Sequence, residues 1–136
     1  MAGEELRLRL VTPDGGAFDE QVLSVTARSE VGELCVLPQH RPILAALCAG
    51  RLVAERAGGE PQVFATDSGF LEGGPDHVNV IARRCEAASE LDADEMGSEV
   101  KRLEKRLAEL EEDDPDRERA AEDLAWARAR LDVARR

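Results

Sequence analysis

A chain of 136 residues has room for one domain or two small ones, and its net charge of −11 disfavours nucleic acid and anionic lipid surfaces as direct partners. With 43% hydrophobic residues but only 3% aromatics, its core has to be built from Leu, Val and Ala. No apolar run approaches membrane-spanning length, and the opening MAGEELRLRL has neither a basic n-region nor an apolar core. A soluble chain without signal peptide or direct membrane insertion is therefore expected.

Period-2 alternation marks strands from the start. Leu6, Leu8 and Leu10 fall on one face, with Arg7 and Arg9 on the other. Leu23, Val25 and Ala27 share a face, and so do Val78, Val80 and Ala82. The stretches TPDGG, RAGGEP and EGGPD carry turn signals between such runs. Short strands with regularly spaced turns predict a small antiparallel sandwich or barrel. One segment stands out, GELCVLPQHRPILAAL, where Pro38 and Pro42 pin a loop with His40 and Arg41 at its tip.

Near Cys85 the composition changes. Residues 1–85 hold ten of the 11 glycines and five of the six prolines, whereas the rest is dominated by Ala, Glu, Leu, Arg and Asp. The division is set at 1–86 for a β domain and 87–136 for a helical segment. Asp92 is a predicted N-cap, with Glu95 completing a capping box. Met96, Val100, Leu103, Leu107 and Leu110 then repeat at helical spacing. Asp114 and Pro115 are predicted as N-cap and first position of a second helix, whose stripe is Ala120, Leu124, Ala127, Leu131 and Ala134. Matching stripes predict an antiparallel hairpin, with Arg128 and Asp132 paired along the second helix. The fold class is thus α+β: an N-terminal antiparallel β-sandwich followed by a C-terminal two-helix hairpin.

Chemistry is scarce. His40 and His77 are too few for a metal triad, no phosphate loop or nucleophile elbow is present, and Ser68 has no base nearby in sequence. Cys35, Cys48 and Cys85 are odd in number and lack metal spacing, so they are predicted to be reduced, mostly buried packing thiols. His77 is expected to be a plain surface residue. No catalytic residue, metal or cofactor is expected, and the chain reads as a binding and structural module.

The proline loop resembles the signature G-x-[LF]-G-[IV]-x-P-G-H-x-P-[LF]-[LV] of the epsilon subunit of the rotary ATP synthase, called delta in mitochondria. Gly32, Leu34, Val36, Pro38, His40, Pro42, Ile43, Leu44 and Gly50 fall on that pattern. Gly69, Phe70, Glu72, Val78, Val80 and Ala82 match a second segment of the family. Cys35, Gln39, Arg41 and Ser68 depart from it; the first two replace glycines, so the loop backbone is expected to differ from the family's.

The resemblance implies a sandwich of about ten strands followed by a hairpin. It also implies a non-catalytic rotor subunit on the central stalk, peripheral at the cytoplasmic face of the bacterial membrane. The implied partners are the gamma subunit, the c-subunit ring and, when the hairpin extends, the catalytic beta subunit. An apolar outer patch of the sandwich would bind gamma. Glu33, Pro38, His40, Arg41 and Pro42 would form the stalk and c-ring side, with Glu33 toward the c ring and His40 toward gamma. Arg117, Arg119, Arg128 and Arg130, with Arg135 and Arg136, would give the hairpin an inhibitory basic face. Some family members bind ATP in the folded hairpin; here Glu86, Leu91, Asp92 and Arg130 match that site, but Glu95 and Trp126 replace two of its cations, so no nucleotide binding is expected. Composition alone would equally allow a free-standing acidic adaptor or chaperone-like module with a mobile helical arm.

Overall fold

A computed structural model describes residues 5–135 of the chain. Ten strands come first: β1 Leu6–Thr12, β2 Gly15–Val22, β3 Ser24–Ser29, β4 Gly32–Val36, β5 Ile43–Leu47, β6 Gly50–Glu55, β7 Gln62–Thr66, β8 Gly69–Gly73, β9 His77–Ala82 and β10 Cys85–Ala87. One 3-10 turn, Ala88–Glu90, leads to the helices α1 Ala93–Glu109 and α2 Arg117–Ala134.

The strand order β10-β7-β6-β3-β5-β8-β9-β1-β2, with β4 also on β3, folds over at one narrow join, where Ser29 faces Leu47. The two halves pack as the layers of a sandwich. Alternation explains why: β1 buries Leu6, Leu8 and Leu10 completely and exposes Arg7 and Arg9. Val25, Leu52 and Phe64 from one layer meet Leu71, Val78 and Val80 from the other in a single core. Burial of this apolar surface is the main stabilising term. Every strand pairing is antiparallel except β1 with β9, which run parallel in register Leu8 to Val78. The early hairpin β1–β2 is therefore delivered to the sheet by a long crossover rather than by a turn.

Strand β7 is buried on both faces. Phe64 points into the sandwich core, edge-on to Phe18 at 5.4 Å between ring centroids, while Val63 and Ala65 point outward. That outer side is where the hairpin lands: α2 places Trp126, Ala129 and Val133 on Val63 and Ala65. Its opposite stripe, with Leu124 and Ala127, packs against Val100 and Leu103 of α1. The hairpin is folded down, α2 in the middle and α1 outermost.

Asp92 caps α1 as predicted, its Oδ1 accepting from the amides of Asp94 at 2.9 Å and Glu95 at 3.0 Å, but the Glu95 side chain does not return to the Asp92 amide to complete the box. The second cap is displaced. Asp114 caps a turn, accepting from the Asp116 amide at 2.8 Å, and α2 starts only at Arg117, with the first helical bond from Ala120 to Asp116. Pro115 sits in that preceding turn rather than in the helix. Leu23 does not share the face of Val25 and Ala27; it stands in the bend before β3 and is 37% exposed. Cys35 is exposed, not buried, because Leu34 and Val36 on either side turn toward the core and alternation turns Cys35 out. Cys48 and Cys85 are half-buried; burial, with Glu90 and Glu86 nearby, pushes the Cys85 thiol up to about 12, so it stays protonated and inert.

Candidate functional site

Three surfaces carry the unusual features of the fold. The first is the proline loop between β4 and β5. Gln39 has φ of +69°, the only positive φ of a non-glycine residue among those described. The loop therefore makes a left-handed turn at a glutamine, at a steric cost of about 1–2 kcal/mol. The Gln39 amide donates to the Pro75 carbonyl at 2.7 Å, which ties the loop to the β8–β9 connection. His40 is half-buried, and its Nδ1 donates to the Arg41 carbonyl at 2.7 Å. Arg41 and Pro42 are exposed, Pro38 is half-buried, and Glu33 is exposed on β4 opposite Arg28.

The second is the outer face of β5, β8, β9 and β1. The register aligns Ala46, Phe70, Ile81 and Val11 across these strands, with Leu44 in the next row. Leu44 is 74% exposed, and Phe70 and Ile81 are each 59% exposed. Exposed side chains of this size in adjoining rows form a patch of the kind that marks an interaction site. Gly69 lets β8 lie close to β9, since a Cβ there would stand 1.9 Å from the Ile81 carbonyl oxygen. At the patch rim Glu72 accepts from Asn79 at 2.9 Å and pairs with His77 at 2.8 Å. Asp76 lies 3.0 Å from the other His77 nitrogen. Asp76 first and Glu72 second hold the His77 imidazole above its ordinary pKa, while His77 lowers that of Glu72. His77 is thus a bridged residue and not a plain surface one.

The third is the seam between hairpin and sandwich. Trp126 is only 5% exposed, with the guanidinium carbons of Arg84 at 5.3 Å and Arg130 at 5.5 Å from its ring. Arg84 donates to the buried carboxylate of Asp67 at 2.8 Å. Arg130 pairs with Glu86 at 3.1 Å. Arg51, Arg83 and Arg84 of the sandwich face Asp132, Glu122 and Asp123 of α2 at 2.9, 3.2 and 3.7 Å.

Residues 5–88 match the family model described as the ATP synthase delta/epsilon chain, beta-sandwich domain. The chain belongs to that family. It is 37% identical over 131 residues to the ATP synthase epsilon chain of Halalkalibacterium halodurans, covering 96% of this chain and 98% of that one. With the epsilon chain of Bacillus subtilis the identity is 36%, covering 95% and 96%. Among solved structures, a chain of the Euglena gracilis mitochondrial ATP synthase superposes with a TM-score of 0.84 at 21% identity, covering 98% of this chain and 82% of that one. A chain of the Tetrahymena thermophila mitochondrial ATP synthase central stalk and c-ring gives 0.60 at 13% identity, covering 98% and 99%. These two show the same fold.

The epsilon-family positions picked from the sequence scatter over all three surfaces. Pro38, His40, Arg41 and Pro42 share the loop, while Glu33 lies apart, in a cleft beside the C-terminal half of α2. Glu86, Leu91 and Arg130 converge around Trp126, but Asp92 is turned to the α1 amides. Arg128 does not pair with Asp132 along the helix: it reaches Glu104 of α1 at 3.0 Å, because Arg51 has taken Asp132. Arg117 donates to the carbonyls of Leu107 at 3.3 Å and Leu110 at 2.9 Å, closing the C-terminus of α1. Arg119 makes no ion pair among the described residues, and Arg136 lies outside them. The rows of the outer patch had one signal in the sequence: ILAAL and GFL are apolar at successive positions, which leaves a side chain on each face of the sheet.

Proposed function

We propose that this chain is the non-catalytic epsilon subunit of an F-type ATP synthase, a rotor element of the central stalk that helps carry torque between the ion-driven c ring and the catalytic head. In this reading it is peripheral, on the cytoplasmic face of the membrane. The observation that carries the reading is the apolar outer face of Leu44, Phe70, Ile81 and Val11 on a chain of this family. That face meets the gamma subunit, and Glu33 meets the c ring. The proline loop, apart from Glu33, lies on the stalk side with His40 toward gamma, where two prolines and the Gln39–Pro75 bond limit yielding under load. Substituting Phe70→Glu and Ile81→Glu together leaves an outward-facing sandwich surface folded and abolishes co-purification with gamma. Undiminished binding would overturn the assignment of the face.

The hairpin is the regulatory part. Extension toward beta and gamma would inhibit ATP hydrolysis through the arginines of α2, but in the folded form Arg117, Arg128 and Arg130 are already engaged, which favours weak inhibition. Deletion of residues 89–136 raises ATPase activity of the assembled complex if this is right and leaves it unchanged otherwise. No nucleotide is held at useful affinity, because Arg130 is paired with Glu86, Asp92 is taken by the α1 amides, and Trp126 stands where the family's second cation would be. Calorimetric titration with ATP tests this, with saturable binding in the millimolar range as the contrary result.

A further inference from the structure

The cleft that takes in Glu33 continues the seam between hairpin and sandwich past the Arg51–Asp132 pair, away from Trp126. It lies between the sheet and the C-terminal half of α2, encloses about 460 Å³, and is lined by Arg28, Glu33, Gly50, Arg51, Arg128 and Asp132 among others. On α2 it follows the stripe of Ala125, Arg128, Ala129 and Asp132, a step round the helix from Trp126 and Arg130. Three arginines line it from three separate elements, Arg28 of β3, Arg51 of β6 and Arg128 of α2. They outnumber the two lining carboxylates, in a chain whose net charge is −11. Like charges gathered in one place repel, so an arrangement of this kind gains from an anion between them.

The donors are only partly used inside the protein: Arg128 gives one terminal nitrogen to Glu104 at 3.0 Å. Arg51 spends one terminal nitrogen on Asp132, at 2.9 Å from its carboxylate and 3.1 Å from its carbonyl, while its Nε is shut off from solvent without an acceptor. Arg28 makes no ion pair among the described residues, although Glu33 stands opposite it in the β3–β4 register. Its stem is laid over Gly50, where a Cβ would come within 3.1 Å of the Arg28 Cβ and Cδ. The absence of a side chain at Gly50 thus keeps Arg28 against the floor of the cleft.

A guanidinium offers parallel N–H donors that match the oxygens of carboxylate or phosphate. A carboxylate has two oxygens, too few to serve three arginines from different sides. A phosphate presents three or more.

We propose that this cleft binds a free inorganic oxyanion of the phosphate class, and that the bound anion fastens the hairpin to the sandwich by bridging arginines of both. The site is separate from the Glu86 and Arg130 positions, and it stands whether or not the rotor assignment does.

The test is titration of the full chain with pyrophosphate in dilute chloride buffer, followed by calorimetry and by amide exchange of α2. Saturable binding that weakens with added salt is expected, together with slower exchange of α2 amides. Arg28→Ala, at an exposed position with no ion pair, is expected to weaken binding roughly ten-fold or more, and Glu33→Gln to strengthen it. Sedimentation with phosphatidylglycerol vesicles separates a soluble phosphate from a lipid headgroup, and no vesicle binding beyond that of neutral vesicles is expected. The proposal fails if no saturable heat is seen up to about 10 mM pyrophosphate, or if Arg28→Ala binds as the native chain does. It fails also if only anionic vesicles, and not pyrophosphate, respond to the substitution.

Discussion

Replacing Trp126 with alanine should lift the hairpin off the sandwich without unfolding the sandwich. The indole is 5% exposed and is surrounded by Val63, Ala65, Ala129, Val133, Ala88 and Leu91. Truncating a buried aromatic of this kind costs about 3–5 kcal/mol, and that includes the loss of the Arg84 and Arg130 contacts, each about 0.5–1 kcal/mol at partly exposed sites. The ion pairs across the seam are a weaker force. Arg83–Glu122 is half exposed on both sides and worth about 0–1 kcal/mol, and Arg84 stands 3.7 Å from Asp123, beyond hydrogen-bonding distance. The apolar plug therefore dominates the docking. At 1.4 kcal/mol per factor of ten, the opening equilibrium should rise roughly a hundred- to several thousand-fold. Hydrogen exchange reads this directly: amides of α2 and the outer side of β7 should lose protection by that factor, while amides of β1 and β9, on the far layer, stay protected. Arg83→Ala should change α2 exchange only a few-fold. If Trp126→Ala changed it less than about ten-fold, or if Arg83→Ala matched it, the ranking of packing over charge would be refuted.

Gly69→Ala should destabilise the sandwich by about 3 kcal/mol or more, since the new Cβ would meet the Ile81 carbonyl at 1.9 Å and backbone on both strands would have to move; chemical denaturation measures it. At position 39, Gln39→Gly should be more stable than Gln39→Ala by about 1 kcal/mol, because the left-handed backbone at φ +69° costs alanine more than glycine loses in unfolded-chain entropy. An equal melting temperature for both would show that the turn relaxes. The His77 imidazole should titrate above the ordinary histidine value of about 6.5, and by NMR its pKa should fall further in Asp76→Asn than in Glu72→Gln, Asp76 being the larger cause. A raised folded-state pKa means that this bridge contributes its full stability below pH of about 6.5 and loses it as the pH rises through the folded value; greater stability at alkaline pH that disappears in His77→Gln would contradict the sign.

Strands and helices were legible in the sequence wherever one face is buried and the other wet. Leu6, Leu8 and Leu10 against Arg7 and Arg9, and Met96, Val100 and Leu103 along α1, announce their periods because burial selects one side chain in two or one in about 3.6. The Asp92 cap was equally local, needing only an acceptor within reach of the next amides. Reading fails where an element is covered twice or a residue answers to a distant one. Helix α2 has apolar residues on both sides, toward α1 and toward β7, so one stripe gave its partner helix and nothing in the period disclosed the second. Arg128 chose Glu104 over Asp132 because Arg51, 81 residues before Asp132 in the chain, arrived with the sheet. The left-handed turn stands at Gln39 because the Pro75 carbonyl, brought there by the β8–β9 connection, holds its amide. The apolar outer patch exists only once β5, β8, β9 and β1 lie side by side, with β1 parallel to β9 through a pairing no local pattern encodes. Periodicity reports what each segment buries. Which distant groups share a surface is decided by topology, since charge and apolar contact act through space and not along the chain.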